Sequence, residues 1–346
     1  MARLLFAAHD PGGALMIGAA APELLSRGHE IEFMAAGPTA DLWRQAGHVV
    51  RPLDQNDDPA NALDPSADGL VAGSGFGAFE RHCWQWARGA GINSLAVIDS
   101  WTHFLRRFET PEGCDFPDVV GVIDESVAEA LAAEADRPVA CAVVGQPHLQ
   151  AQTERLVKAR DGHGYDPTRP TLVFFSEPIL ADFGVAQRGY DQYQVFEAVI
   201  GACAANVPPG TRFLVKPHPR ETRSEWWDAI ETGRAATGLA IDLAEASTET
   251  LLAECDGVLG MTSMVLLEAH LSGVATLSFQ PGRTDIPNPA IEFAAEVVTD
   301  PQGMSAAVST FMGRLGGRSA PHPRFQAALE DASKRFADAV EARVLC

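Results

Sequence analysis

Four short segments carry side chains whose types and spacing suit chemistry. The densest is Leu214-Val215-Lys216-Pro217-His218-Pro219-Arg220-Glu221. Two prolines fix the backbone on either side of an imidazole, so His218 is presented at the end of an apolar run. Lys216, His218 and Arg220 together suit the charge of a monophosphate or diphosphate; an inert surface histidine is the plainer alternative. Downstream, Gly260-Met261-Thr262-Ser263 opens the apolar stretch Met264 to Ala269. Thr262 and Ser263 fall where a helix should begin, so hydroxyls and free backbone amides point the same way, as a phosphate seat requires. Plain N-capping uses the same two residues. Glu268, within that helix, is placed either to hydrogen-bond a ribose diol or to face solvent, and the sequence leaves both open.

The other two segments lie in the first half. In His9-Asp10-Pro11-Gly12-Gly13, the paired glycines let backbone amides approach an anion. A tight turn would also need Gly12 and Gly13, but it requires neither His9 nor Asp10. Asp99-Ser100-Trp101-Thr102-His103 sets a carboxylate near an imidazole, as for a general base and its neighbour, with Trp101 as an apolar wall for a ring. Its alternative is a helix cap by Asp99, with Trp101 and Phe104 buried. Gly73-Ser74-Gly75-Phe76-Gly77 is a poorer nucleotide loop, because its spacing is not G-x-G-x-x-G and no acidic partner follows at the expected distance. The catalytic candidates are thus Asp10, Asp99 and His218. The candidates for binding a donor phosphate or nucleotide are Gly12, Gly13, Lys216, His218, Arg220, Thr262, Ser263 and Glu268.

These segments need elements that bring them to one end of a sheet. Arg3 to Ala8 reads as a buried strand, Ala14 to Arg27 as a helix stopped by Gly28, and Glu30 to Ala35 as a second strand. Strand, glycine turn, helix, strand is the unit of a parallel sheet. The alternation continues with strands near 70–72, 94–98, 119–123 and 139–144 and helices near 77–89 and 125–135. After the polar stretch Lys158 to Pro170, the best linker, it starts again: strands at 171–175, 212–215, 257–259 and 274–278, helices at 191–205, 248–254 and 263–272. A last amphipathic helix spans 324–344. Strands that are apolar without alternation imply sheets covered on both faces. The fold class is α/β with two Rossmann-like domains, 1–160 and 168–323, and a C-terminal helix 324–346 that crosses back. Ligands of such sheets bind at the carboxyl ends of strands, which is where all four segments fall.

A chain of 346 residues suits two domains. Its 26 Lys and Arg against 46 Asp and Glu give a formal net charge of −20, which opposes nucleic-acid binding and lends no support to peripheral membrane contact. The six cysteines are scattered without C-x-x-C pairs or histidines at metal spacing, so we expect reduced thiols, a cytoplasmic protein, no metal and no cofactor. The first residues read as a strand rather than a signal peptide, and no apolar run is long enough for a transmembrane helix.

The second half resembles the C-terminal domain of GT-B glycosyltransferases and their relatives. The residues that carry the likeness are Lys216-Pro217-His218-Pro219 after a strand, Ala253-Glu254-Cys255-Asp256 ending a helix, and Gly260-Met261-Thr262-Ser263 with Glu268-Ala269 and Gly273-Val274. It is similar above all to the His-Pro members: bacterial sialyltransferases, Kdo transferases and glycerophosphotransferases. That resemblance implies that His218, Thr262 and Ser263 contact the donor phosphate, and that the two domains face each other across a cleft. It implies an inverting, metal-independent transfer from a nucleotide sugar to a carbohydrate or glycoconjugate acceptor, as in bacterial surface polysaccharide biosynthesis, with Asp10 or Asp99 as base. The carboxylates that precede a glycine in the sialyltransferases have no clear counterpart in the first half. The fold pattern is also similar to that of the non-hydrolysing nucleotide-sugar 2-epimerases, although their Glu-Arg-Pro-Glu-like segment is absent. An epimerase or hydrolase of a nucleotide sugar and a non-catalytic nucleotide-sugar-binding subunit are the competing expectations.

Overall fold

The computed structural model describes residues 1–53, 62–285, 287–317 and 321–346. They form two units: Met1–Ala151 with Pro323–Cys346, and Gln152–His322. The division falls inside the helix Pro147–Ala159.

The first unit has strands β1 (Arg3–Ala8), β2 (Glu30–Ala35), β3 (Val50–Pro52), β4 (Gly69–Ala72), β5 (Ser94–Val97), a short antiparallel pair β6 (Glu109–Thr110) and β7 (Gly113–Cys114), then β8 (Val119–Val122) and β9 (Cys141–Val143). All but β6 and β7 make one parallel sheet in the order β3-β2-β1-β4-β5-β8-β9. Register is set by pairs such as Phe6↔Phe33 and Phe6↔Val71. Every residue of β4, β5 and β8 is buried. This explains their unbroken apolar sequences, since helices cover both faces.

The single helix expected over 324–344 is two, Pro323–Leu329 and Ala332–Arg343. The break lies at Asp331, which adopts a left-handed φ of 50°, a conformation that Asp tolerates better than most residues. Arg335 reaches back to the carbonyls of Ala327 and Ala328, satisfying the end of the first helix. The segment is tied down by Arg27, which bonds Asp338 and Glu341 at 2.8 Å each, and by Trp101, whose ring meets Phe325 edge-on at 5.4 Å.

The second unit holds β10 (Thr171–Phe175), β11 (Arg212–Lys216), β12 (Ala240–Leu243), β13 (Gly257–Gly260), β14 (Ala275–Phe279) and β15 (Glu296–Val298), in the parallel order β12-β11-β10-β13-β14-β15. Successive side chains of β10 feed opposite cores. Leu172 and Phe174 join Phe196, Phe213 and Trp226 on one face; Val173 and Phe175 join Leu214, Val258 and Leu266 on the other. The polar stretch 158–170 is packed on this unit. Arg160 bonds the carbonyls of Leu252 and Cys255, at the end of the helix Thr248–Glu254, and His163 pairs with Asp256 at 2.9 Å.

Both sheets are doubly wound, all-parallel α/β layers. No helix among the described residues is long and apolar enough to cross a membrane.

Candidate functional site

In each sheet the strand order reverses beside the first strand, between β1 and β4 and between β10 and β13. Crossovers leave these neighbours in opposite directions, and their carboxyl ends open a crevice suited to a ligand.

At the first of these points, His9 and Asp10 follow β1. His9 Nδ1 pairs with Asp10 Oδ1 at 2.7 Å, and Asp10 Oδ2 accepts from the backbone amide of Phe76. Glycines make the space: a Cβ on Gly37 would lie 2.7 Å from His9 Nε2, and one on Gly75 would collide with the Asp10 carboxylate. Both side chains remain partly exposed, His9 by 24% and Asp10 by 36%. Beneath them Glu80, fully buried on the helix Phe79–Ala90, accepts from the amides of His9 at 2.8 Å and Asp10 at 3.2 Å. Its Oε2 has no partner among the described residues, and burial pushes its carboxyl above the usual range.

Gly12 and Gly13 serve packing here. A Cβ on Gly12 would run into Asp99, and one on Gly13 would meet the backbone of Gly73 at 2.8 Å. The amides at this turn that bond a carboxylate are those of His9 and Asp10, and the carboxylate is the protein's own. Asp99 is bonded to Arg107 at 2.5 Å in a nearly buried pair, and Arg107 also holds Ser100 Oγ at 2.7 Å and the Ser74 carbonyl at 3.2 Å. No helix starts at Asp99. Residues 99–104 turn, with His103 at a left-handed φ of 57°, and only Leu105–Arg107 forms a 3₁₀ turn. His103 packs edge-on against Phe76 rather than beside Asp99, and burial lowers its imidazole. The expected pairing of Asp99 with His103 is therefore replaced by Asp99 with Arg107, because the turn points the two side chains to different neighbours.

At the second point, the amides of Thr262 and Ser263 begin the helix Met264–Leu271 as expected, and Ser263 Oγ caps it by accepting from Val265. Those amides are engaged. Glu177, just after β10, accepts from Thr262 N at 2.6 Å, Ser263 N at 2.8 Å and Thr262 Oγ1 at 2.6 Å. Burial raises its carboxyl, opposed by these three donors. Thr262 Oγ1 also accepts from Arg188 at 2.9 Å; Arg188 pairs with Asp285 and lies over the Phe183 ring.

His218 follows β11. Its amide donates to Glu221 Oε2 at 2.8 Å, and its Nδ1 accepts from the amide of Arg220 at 3.2 Å. In the neutral ring the proton therefore sits on Nε2. Burial, reinforced by Arg220, lowers the imidazole and favours that neutral form. Glu221 is itself braced by Ser176 Oγ at 3.0 Å and Gln192 Nε2 at 3.1 Å.

Two expected phosphate ligands are committed elsewhere. Lys216 Nζ donates to the Ala246 carbonyl at 2.7 Å, and the Arg220 fork grips Asp182 at 2.7 and 2.6 Å. Glu268 is half-buried and paired: Gln152 donates to it at 2.7 Å, and burial pushes its carboxyl up to about 7.

Sequence reasoning missed Glu80, Glu177, Arg188, Tyr190, Glu221 and Asp285. For Glu177 a signal existed, since a carboxylate immediately after the central strand stands at the ligand-binding end of the sheet. For Glu80, within an amphipathic helix, there was none.

The chain matches no protein-family model and no curated protein sequence. It is similar in structure to the UDP-GlcNAc 2-epimerase from Neisseria meningitidis bound to UDP-GlcNAc, with 11% identity, 98% of this chain and 100% of that chain covered, and a TM-score of 0.70. The UDP-GlcNAc 2-epimerase of Methanocaldococcus jannaschii follows at 12% identity, 95% and 98% coverage and 0.67. The MurG of Acinetobacter baumannii stands at 12% identity, 99% and 100% coverage and 0.58. At such identities the likeness is one of fold: two Rossmann-like domains of the GT-B type, shared by epimerases and glycosyltransferases.

Proposed function

We propose that this chain is an enzyme acting on a nucleotide-activated sugar, and that it transfers the sugar to an acceptor without a metal, as the His-Pro members of the GT-B class do. The observation that carries this reading is His218 at the end of β11, whose Nδ1 accepts from the Arg220 amide so that the neutral ring, favoured by burial, carries its proton on Nε2. A neutral, preorganised donor suits a phosphate oxygen on which charge builds as the sugar leaves. Asp10, with His9 as its partner, is the better base of the two candidates, because it is the more exposed carboxylate, 36% against 19%, and Asp99 Oδ1 is held by the Arg107 guanidinium. In transfer, that pair would take the proton of the acceptor hydroxyl. Neighbours solved with UDP or UDP-GlcNAc support a uridine nucleotide as the first donor to try.

His218→Ala should lower kcat for nucleotide release by on the order of 10²-fold, the usual cost of one transition-state donor. Full activity in that variant, or loss of activity with a chelator, would sink the mechanism.

A second reading is 2-epimerisation of a nucleotide sugar. It is favoured by the TM-scores of 0.67 and 0.70 to epimerases, against 0.58 for MurG. Incubating UDP-GlcNAc with the protein alone separates the two, since an epimerase inverts the sugar with no acceptor present.

A further inference from the structure

The helix start at Thr262 and Ser263 has the chemistry of a phosphate seat, but a carboxylate of the same chain holds it. Glu177 makes three bonds there, to two amides and one hydroxyl. Beside it, Arg188 bridges Thr262 Oγ1 to a second carboxylate, Asp285. The arrangement is that of a bound diphosphate: one anion on the helix amides, a second on the adjoining cation.

A separate feature shows that this polar pocket is not saturated. Tyr190 is fully buried, and its hydroxyl makes no hydrogen bond of good geometry among the described residues, with the Arg188 side chain the donor close enough to act on it. Its charged neighbours are Arg188, Glu177 and Asp285. Arg188 Nε and Asp285 Oδ1 are likewise without partners. A buried hydroxyl left unsatisfied is costly, and here it lies within reach of the seat that Glu177 fills.

We propose that Glu177 is an internal stand-in for a ligand phosphate, and that a diphosphate binds this unit by displacing the Glu177 carboxylate from the amides of Thr262 and Ser263. The inference rests on the nucleotide-sugar reading for the identity of the ligand, and on the geometry alone for the displacement. A carboxylate and a phosphate cannot share two amides, and their like charges repel. Glu177 follows a strand end and has a flexible side chain, so rotation about its own bonds is enough to clear the seat. Arg188, freed from Asp285, and the Tyr190 hydroxyl then become donors for the incoming anion. Because the chain occupies its own seat, the observed affinity is the intrinsic one reduced by the fraction of molecules with Glu177 withdrawn.

The test is calorimetric titration of the full-length protein and its variants with inorganic pyrophosphate, then with UDP. Glu177→Ala should bind pyrophosphate on the order of tenfold more tightly than the wild type, as expected if the open form is a minor state of a few per cent to a tenth. Glu177→Gln, which keeps an acceptor but no charge, should fall between them and serves if the alanine variant does not fold. Thr262→Val in the Glu177→Ala background should reverse part of the gain. Affinity in both Glu177 variants equal to or weaker than wild type overturns the proposal, as does a gain that Thr262→Val leaves intact. The functional reading fails separately: tighter pyrophosphate binding in Glu177→Ala, with no UDP binding and no turnover of any nucleotide sugar, keeps the displaced carboxylate and removes the proposed activity. Wild-type turnover with unchanged affinity in the variants does the reverse.

Discussion

The two crevices of this protein are built alike and finished differently. Each lies where strand order reverses, and in each a carboxylate of the chain accepts from consecutive backbone amides: Glu80 from His9 and Asp10, Glu177 from Thr262 and Ser263. Glu80 projects from a helix into the core and has no route out, so it is a strut that shapes the turn and leaves Asp10 and His9 at the rim. Glu177 projects from a loop onto a helix start, where the partial positive charge of the backbone attracts any anion. The same bond pattern thus builds a floor in one unit and a movable occupant in the other. What distinguishes them is the element that delivers the side chain.

The contrast is sharpest in the reacting groups. Asp10→Asn should reduce turnover by on the order of 10² to 10³-fold with little change in thermal stability, because the side chain stands partly exposed at the rim. If Asp99→Asn lowers activity more than Asp10→Asn at equal stability, Asp99 rather than Asp10 is the base. Arg107→Ala should act the other way. It strands Asp99 in a nearly buried position, and denaturant unfolding should show a loss of about 3 kcal/mol or more.

Glu80→Ala tests the strut. It removes the acceptor for two amides in a buried setting, and a loss of about 1–3 kcal/mol is expected in unfolding experiments. Glu177→Ala should cost less than Glu80→Ala. Equal losses would erase the distinction between floor and occupant.

The smallest effect concerns pH. Burial pushes the Glu268 carboxyl up to about 7 from the ordinary 4.5, so the folded protein favours the protonated form. Its contribution to stability is fully present below 4.5 and is lost as pH rises through about 7. Glu268→Gln should remove this loss, gaining about 1–2 kcal/mol at pH 8 relative to pH 4, because solvent screens this half-buried group. Unfolding midpoints of both proteins across that range measure it directly.

Much of the framework was legible in the sequence. β1, β2, β10 and the helix Thr248–Glu254 have the boundaries read from it, since each is a run of strong local character closed by Gly, Pro or a cap. What escaped was local structure with a weak pattern. The helix Arg223–Thr237 buries only Trp226, Ile230 and Gly233, and the edge strand β12 alternates over just four residues. Of the candidate residues, His218 follows its strand as read from the sequence, because two prolines act over a few bonds, whereas Lys216 and Arg220, expected beside it, bond elsewhere.

The sequence by itself determined which segments lie at the carboxyl ends of the strands, because hydrophobic period and turn residues are local. Only the tertiary structure decided which charges there are spent and which are available. Lys216 is used by a carbonyl 30 residues away, Arg220 by Asp182, and the amides of Thr262 and Ser263 by Glu177, 85 and 86 residues before them. Ionic and hydrogen-bond partners are chosen by distance in space, over which the chain's order has no say, and that choice turns a row of plausible phosphate ligands into one half-buried imidazole and a seat already taken.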